Sequence, residues 1–283
     1  MIAAITSKRG GVGCTTIGLL VSLYLSKYLG KSVCIVDLKN TNDVARLLHI
    51  NTEASIDNLI TDLGIDNDIV SVEDNICDYD KISVIPGTTV PLITYLYKKS
   101  TNIKELLKRL DESYDIVIID VKDDLLYEDL KAKGLNLLQI NVLEQNMLVI
   151  SEYQEVMQSG YLDGLIVVNK LDNSVIPEKN KFLKNFDKNN IYFLENNNLI
   201  KNVMNSSLNL AEISKTQFFM GIKAICERIV KEMPKYVSEE DKICDDTDSL
   251  FYEASIENKK SRMIGPKKKK SLFSALFGKG GRK

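Results

Sequence analysis

Histidine occurs once in the 283 residues, and the five cysteines (Cys14, Cys34, Cys77, Cys226 and Cys244) are scattered, with no C-x-x-C pair. This argues against a clustered metal site or a disulfide framework and for a reducing compartment. No apolar run approaches the roughly 18 residues of a membrane-spanning helix. The start, Met1-Ile2-Ala3-Ala4-Ile5-Thr6, has no basic region ahead of an apolar stretch and no cleavage site, so it does not read as a signal peptide. There is no internal repeat. A net positive charge is missing from the body of the chain. Residues 267–283 hold seven Lys or Arg and no Asp or Glu, and removing that +7 from the net charge of −2 leaves about −9 for the rest. An acidic body disfavours broad nucleic-acid binding, and the basic end reads as an interaction tail.

What is present is a series of short, continuous apolar runs: Ile2–Ile5, Val33–Val36, Ile82–Ile85, Ile116–Ile119, Leu135–Leu143, Leu165–Val168 and, more weakly, Ile191–Leu194. Such runs fit strands covered on both faces. Helical stretches at Ile17–Tyr28, Ile103–Leu110 and Thr216–Lys231 alternate with them. The expected fold is α/β, a doubly wound, mostly parallel sheet with helices on both faces. The length suits one such domain plus tails. We assign residues 1–235 to this domain. The pattern fails after Pro234, so 236–266 reads as an acidic and polar linker and 267–283 as a separate tail.

The first run stops at Lys8-Arg9-Gly10-Gly11-Val12-Gly13-Cys14-Thr15-Thr16, which leads into the first helix. Glycines let backbone N–H groups turn toward a phosphate, and the helix adds its positive N-terminal end. Thr15 stands where a P-loop hydroxyl would meet Mg²⁺. A ligand-free tight turn is the plain alternative. Against it stand Asp37, Asp120 and Asn169, which close later strands in the expected order.

These residues resemble the deviant Walker A motif of the MinD/ParA superfamily of P-loop NTPases, K-G-G-x-G-K-T. The resemblance implies ATP with Mg²⁺ as cofactors. It places the nucleotide on Arg9, Gly10, Gly11, Val12, Gly13, Cys14, Thr15 and Thr16. Arg9 falls on the signature lysine that reaches across a homodimer, and Cys14 on the lysine that contacts the β and γ phosphates. Cys14 cannot supply that charge and is expected to pack as a small residue. Lys8, Arg9 and Lys39 are the candidates to restore it. The small residue at 14, together with Val36-Asp37-Leu38-Lys39 and the Asp43-Val44-Ala45 that follows, is most similar to the CpaE/TadZ branch, the localisation factors of Tad pilus systems.

By the same resemblance Thr15, Asp37 and Asp120 would hold Mg²⁺, directly or through water, with Asp37 also in a catalytic role. A second family carboxylate positions the attacking water, and Lys39 stands in its place. Asn169 would meet the adenine edge, although an Asn that merely caps a strand is the ordinary reading. Losing one preorganised stabilising group costs about 3–4 kcal/mol, or about 10²–10³ in rate. With Cys14 and Lys39 both altered, hydrolysis is expected to be weak or absent while binding survives.

In the tail, Leu272, Phe273, Leu276 and Phe277 fall on one broad helical face, led by Lys267, Lys268, Lys269 and Lys270. This fits an interfacial helix on an anionic membrane, similar to the membrane-targeting tail of MinD. Docking onto the body, or a basic arm on nucleic acid, are the alternatives. The combined expectation is a cytoplasmic protein, peripheral at the inner face of the membrane. It would dimerise on ATP and recruit a pilus, secretion or division machine. An active MinD/ParA-type ATPase for division-site placement or DNA partitioning is the alternative function.

Overall fold

The computed structural model describes residues 1–62, 72–88, 90, 95–122, 124–158, 164–205 and 210–233. They belong to one unit, Met1–Val237. The expected linker and tail lie outside the described residues.

Eight strands, β1 (Ile2–Thr6), β2 (Val33–Leu38), β3 (Cys77–Tyr79), β4 (Ile82–Ile85), β5 (Ile116–Val121), β6 (Leu137–Glu144), β7 (Leu165–Leu171) and β8 (Ile191–Glu195), form one sheet in the order β3-β4-β2-β5-β1-β6-β7-β8. Every pairing is parallel except β3 with β4. The expected doubly wound fold is therefore present. The helices are α1 (Cys14–Leu29), α2 (Asp43–Leu47), α3 (Ile56–Asp62), α4 (Tyr95–Lys98), α5 (Ser100–Ser113), α6 (Asp124–Ala132), α7 (Met147–Gln158), α8 (Lys179–Asn185), α9 (Asn198–Asn205), α10 (Leu210–Ile213) and α11 (Gln217–Glu232). Among the described residues no helix is long and apolar enough to cross a membrane.

The two-residue period of a strand sorts the core into layers. Ala3, Ile5, Ile35 and Ile118 face α1 and α11, whereas Ile2, Ala4, Val36 and Ile119 face α5 and α6. On α5, Ile103, Leu106, Leu107 and Leu110 repeat at helical spacing and are fully or almost fully buried. Thr216 caps α11 by accepting from the Phe219 N–H at 3.1 Å. A third cluster under β7 and β8 is built on Phe182 and Phe186.

The strand order reverses around β1, which pairs with β5 on one side and β6 on the other. Ligand crevices of open parallel sheets form at such a switch point, outside the carboxyl ends of the strands. Three of those ends carry the expected site residues. Asp37 on β2 lies in register with Asp120 on β5, and β1 runs straight into the glycine loop.

Candidate phosphate-binding site

Gly13 has φ +101°, in the left-handed region that suits glycine, and stands immediately before α1. A Cβ there would meet the Asn169 Nδ2 at 2.4 Å, so position 13 has no room for a side chain. The Asn169 amide also donates to the Val12 carbonyl at 2.7 Å, and Lys170 Nζ to the Gly11 carbonyl at 2.6 Å. The end of β7 thus engages the loop through its carbonyls. Asn169, expected at the adenine edge, is placed against the loop backbone. The first turn of α1 has neither a side-chain cap nor an acidic residue, so its N–H groups and positive end remain available to an anion.

Beneath the loop lies a cavity of about 250 Å³, lined by residues 9–16 together with Ser7, Lys39, Thr41, Asp43, Val121 and Lys122. That is below the range of a pocket for a whole drug-sized ligand. It has room for phosphate-sized groups. Lys122, Thr41 and Asp43 were not among the expected site residues. Lys122 lies two residues past Asp120, on the same side by the strand period, which is the signal that was there to find it.

The floor of the cavity is a closed triangle. Thr15 Oγ1 donates to Asp120 Oδ2 at 2.7 Å, and Lys39 Nζ lies 2.6 Å from Thr15 Oγ1 and 2.6 Å from Asp120 Oδ2. Asp120 is fully buried and Lys39 is 8% exposed. The Lys39 backbone is fixed as well. Its N–H donates to Asp37 Oδ1 at 3.0 Å, and its carbonyl lies 2.9 Å from where a Cβ on Gly87 would sit. Asp37 Oδ2 accepts from the Val44 N–H in α2 at 3.0 Å. Both oxygens of Asp37, expected to serve metal or water, thus hold the 39–44 segment instead.

Adjacent parallel strands bring the two aspartates together in a dry place. Burial and the charge of Asp120 push the Asp37 carboxyl up to about 7, against the Val44 hydrogen bond. For Lys39, burial favours the neutral amine, but the charge and hydrogen bond of Asp120 outweigh it and hold the ammonium above its usual range. Burial and Asp120 push the Cys14 thiol up to about 12. Cys14 therefore stays a neutral packing group without nucleophilic character.

The other candidate cations are engaged elsewhere. Arg9 Nη2 lies 2.8 Å from Glu152 Oε1 on α7, and Lys8 Nζ lies 5.2 Å from the centroid of the Tyr153 ring. Only Lys39, of the three candidates, stands on the floor beside Thr15.

The donor set expected for Mg²⁺ does not fit that ion as arranged. Two of its three members, Thr15 and Asp120, carry the Lys39 ammonium, and the third is committed to backbone N–H groups. Mg²⁺ demands near-octahedral oxygen at about 2.0–2.1 Å. Two unit charges 4 Å apart repel by about 4 kcal/mol at an effective dielectric near 20, and a divalent ion doubles that.

A family model described as an AAA domain matches residues 1–153, more than half of the chain, and the chain belongs to that family. No curated protein matches the sequence. Among solved structures, the chain is similar to MinD in the MinC:MinD cell division protein complex of Aquifex aeolicus, at 15% identity and TM-score 0.65, over 82% of this chain and 96% of that one. It is also similar to the septum site-determining protein MinD complexed with Mg-ADP from Pyrococcus horikoshii OT3, at 17% identity and TM-score 0.62, over 84% and 100%. A ParA family ATPase from Chlorobium tepidum TLS matches at 14% identity and TM-score 0.59, over 80% and 98%. At these identities the likeness is one of fold, and it is the MinD/ParA fold that the motifs imply.

Proposed function

We propose that this chain is a nucleotide-responsive positioning protein with little or no ATPase turnover. It binds ATP through the loop after β1, pairs with a second copy, and recruits a larger machine at the inner face of the membrane. The observation that carries this reading is the split within the site. The loop, the bare N-terminus of α1 and Thr15 are retained, while Lys39 stands where a water-positioning carboxylate is expected and Cys14 adds no charge. Phosphoryl transfer depends on preorganised charge, so such a site binds better than it turns over.

Pairing rests on Arg9 at the position of the cross-dimer lysine. Its partner Glu152 lies one helical turn from Leu148, which is 64% exposed beside the half-exposed Met147, so an apolar patch adjoins the charge. The CpaE/TadZ-like motifs support a Tad-like pilus or secretion machine as the cargo. The tail 267–283 supports membrane attachment, its four aromatic and leucine side chains inserting beside the lysine run. Division-site placement or DNA partitioning by an active ATPase is the rival reading, and Lys39 stands against it.

Calorimetry of the full chain with ATP tests the core of this reading. Binding in the micromolar range or weaker, about −8 kcal/mol or less favourable, is the expected outcome. Absence of binding at millimolar ATP would leave a membrane adaptor without nucleotide. Co-sedimentation with anionic vesicles tests the tail. Phe273→Asp with Phe277→Asp should release the protein although every lysine is kept.

A further inference from the structure

We infer that the Lys39 ammonium is a built-in replacement for the divalent cation, so that this site takes the triphosphate of a nucleotide without metal. This rests on the nucleotide-binding reading above and deepens it. The ammonium sits 2.6 Å from both Thr15 Oγ1 and Asp120 Oδ2, the hydroxyl and the carboxylate that a P-loop offers to its ion. It lines the phosphate cavity together with the loop.

Nor is the position an accident of a flexible side chain. The Lys39 N–H is tied to Asp37, its carbonyl is packed against Gly87, and its ammonium is held at two points in a nearly dry place. A cation so placed needs no hydration shell removed when a phosphate arrives and costs no reorganisation. It also faces a need that the fold creates. Asp37 and Asp120 are in register on neighbouring strands and fully buried, and the Lys39 ammonium lies against the Asp120 carboxylate in the resting protein. An ion that arrives with the nucleotide cannot serve that resting state, whereas a lysine does so permanently. The same charge stands at the floor of a loop whose Cys14 contributes none.

The chemical consequence is a preference for the free nucleotide over its metal complex. Mg²⁺ brought in on the phosphates would meet the ammonium and find Thr15 and Asp120 engaged. Removing the ammonium should open both oxygens to metal.

The test is calorimetry of ATP binding to the full chain, in excess Mg²⁺ and in chelator. For the wild type, binding in chelator should be as tight as in Mg²⁺, or tighter. Lys39→Ala should bind weakly in chelator and regain about tenfold or more when Mg²⁺ is added, about 1.4 kcal/mol. Manganese with a non-hydrolysable ATP analogue gives a second readout, in which the wild type alone is decisive. Wild-type protein should leave the paramagnetic resonance spectrum of the manganese–nucleotide complex unchanged, and Lys39→Ala should alter it. If Mg²⁺ tightens wild-type binding by more than about threefold, or if the wild type perturbs the manganese spectrum, the inference is overturned and the nucleotide-binding reading stands. If ATP binds in neither condition, both fail together. Should Lys39→Ala not fold, the two wild-type comparisons still decide.

Discussion

The glycine loop and the carboxylate floor beneath it rest on different parts of the chain. The loop, residues 9–16, keeps what a phosphate needs, because its contribution comes from backbone geometry. Gly13 in the left-handed region and an uncapped helix start present backbone N–H groups, and Cys14 adds no charge to them. The floor works through side chains. The Lys39 side chain partners Thr15 and Asp120, while both oxygens of Asp37 are taken by backbone N–H groups. Binding carried by the main chain is robust to substitution, and catalysis carried by side-chain charge is not.

The largest effect should come from breaking the floor. Lys39→Met keeps the length of the side chain but leaves Asp120 buried without its cation, and should cost about 3–5 kcal/mol in denaturant unfolding. The cost should depend on pH. The Asp37 carboxyl, at about 7, stands above its unfolded value, so its contribution is fully present in acid and is lost as pH rises through that value. Removing the Lys39 charge, whose attraction holds this carboxyl down, extends the loss. The gap between wild type and variant should therefore widen from about pH 5 to about pH 8. A gap that narrows would mean that the ammonium is not serving these carboxylates.

Next in size is the loop. Gly13→Ala places a β-carbon against the Asn169 amide in a strained conformation, and should cost about 1–3 kcal/mol and weaken ATP binding. Asn169→Ala alone should cost about 1 kcal/mol through the lost bond to the Val12 carbonyl. Combined, the two should cost less than their sum, since removing the amide removes the clash. Strict additivity would show that Asn169 does not press on the loop.

The smallest effect should be at the rim. The Arg9–Glu152 pair is more than a third exposed on both sides, so Glu152→Ala should change stability by less than about 1 kcal/mol. Its expected effect is on assembly. With Arg9 released, ATP-dependent dimers measured by light scattering should form at lower concentration, whereas Arg9→Ala should raise the concentration required.

Much of this molecule is legible in its sequence where a single strong pattern governs. Continuous apolar runs marked β1, β2, β4, β5 and β7 because strands buried on both faces have no alternation to confuse, and marked β8 more weakly because that edge strand is only partly covered. The run from Leu135 begins two residues early, since Leu135 packs under α5 and α6 before β6 starts at Leu137. β3 went unseen because it is three residues long, only partly covered, and held by antiparallel pairing to β4. Spacing located the loop and both aspartates. It did not show that Lys39 turns inward, because a lysine just past a strand end is ordinarily solvated, and only the register of β2 with β5 creates the charge that draws it in. Nor could it show Asn169 under the loop, a contact across 157 positions.

The most direct test is phosphate release from ATP by the full chain, at nucleotide concentrations where calorimetry shows the site filled, with anionic vesicles present. Release near the uncatalysed background, rising less with Cys14→Lys alone than with Cys14→Lys and Lys39→Asp together, is the expected result. A wild-type rate of about 1 per second, ordinary for an enzyme, would show that the altered floor still supports hydrolysis and that the protein cycles as an ATPase.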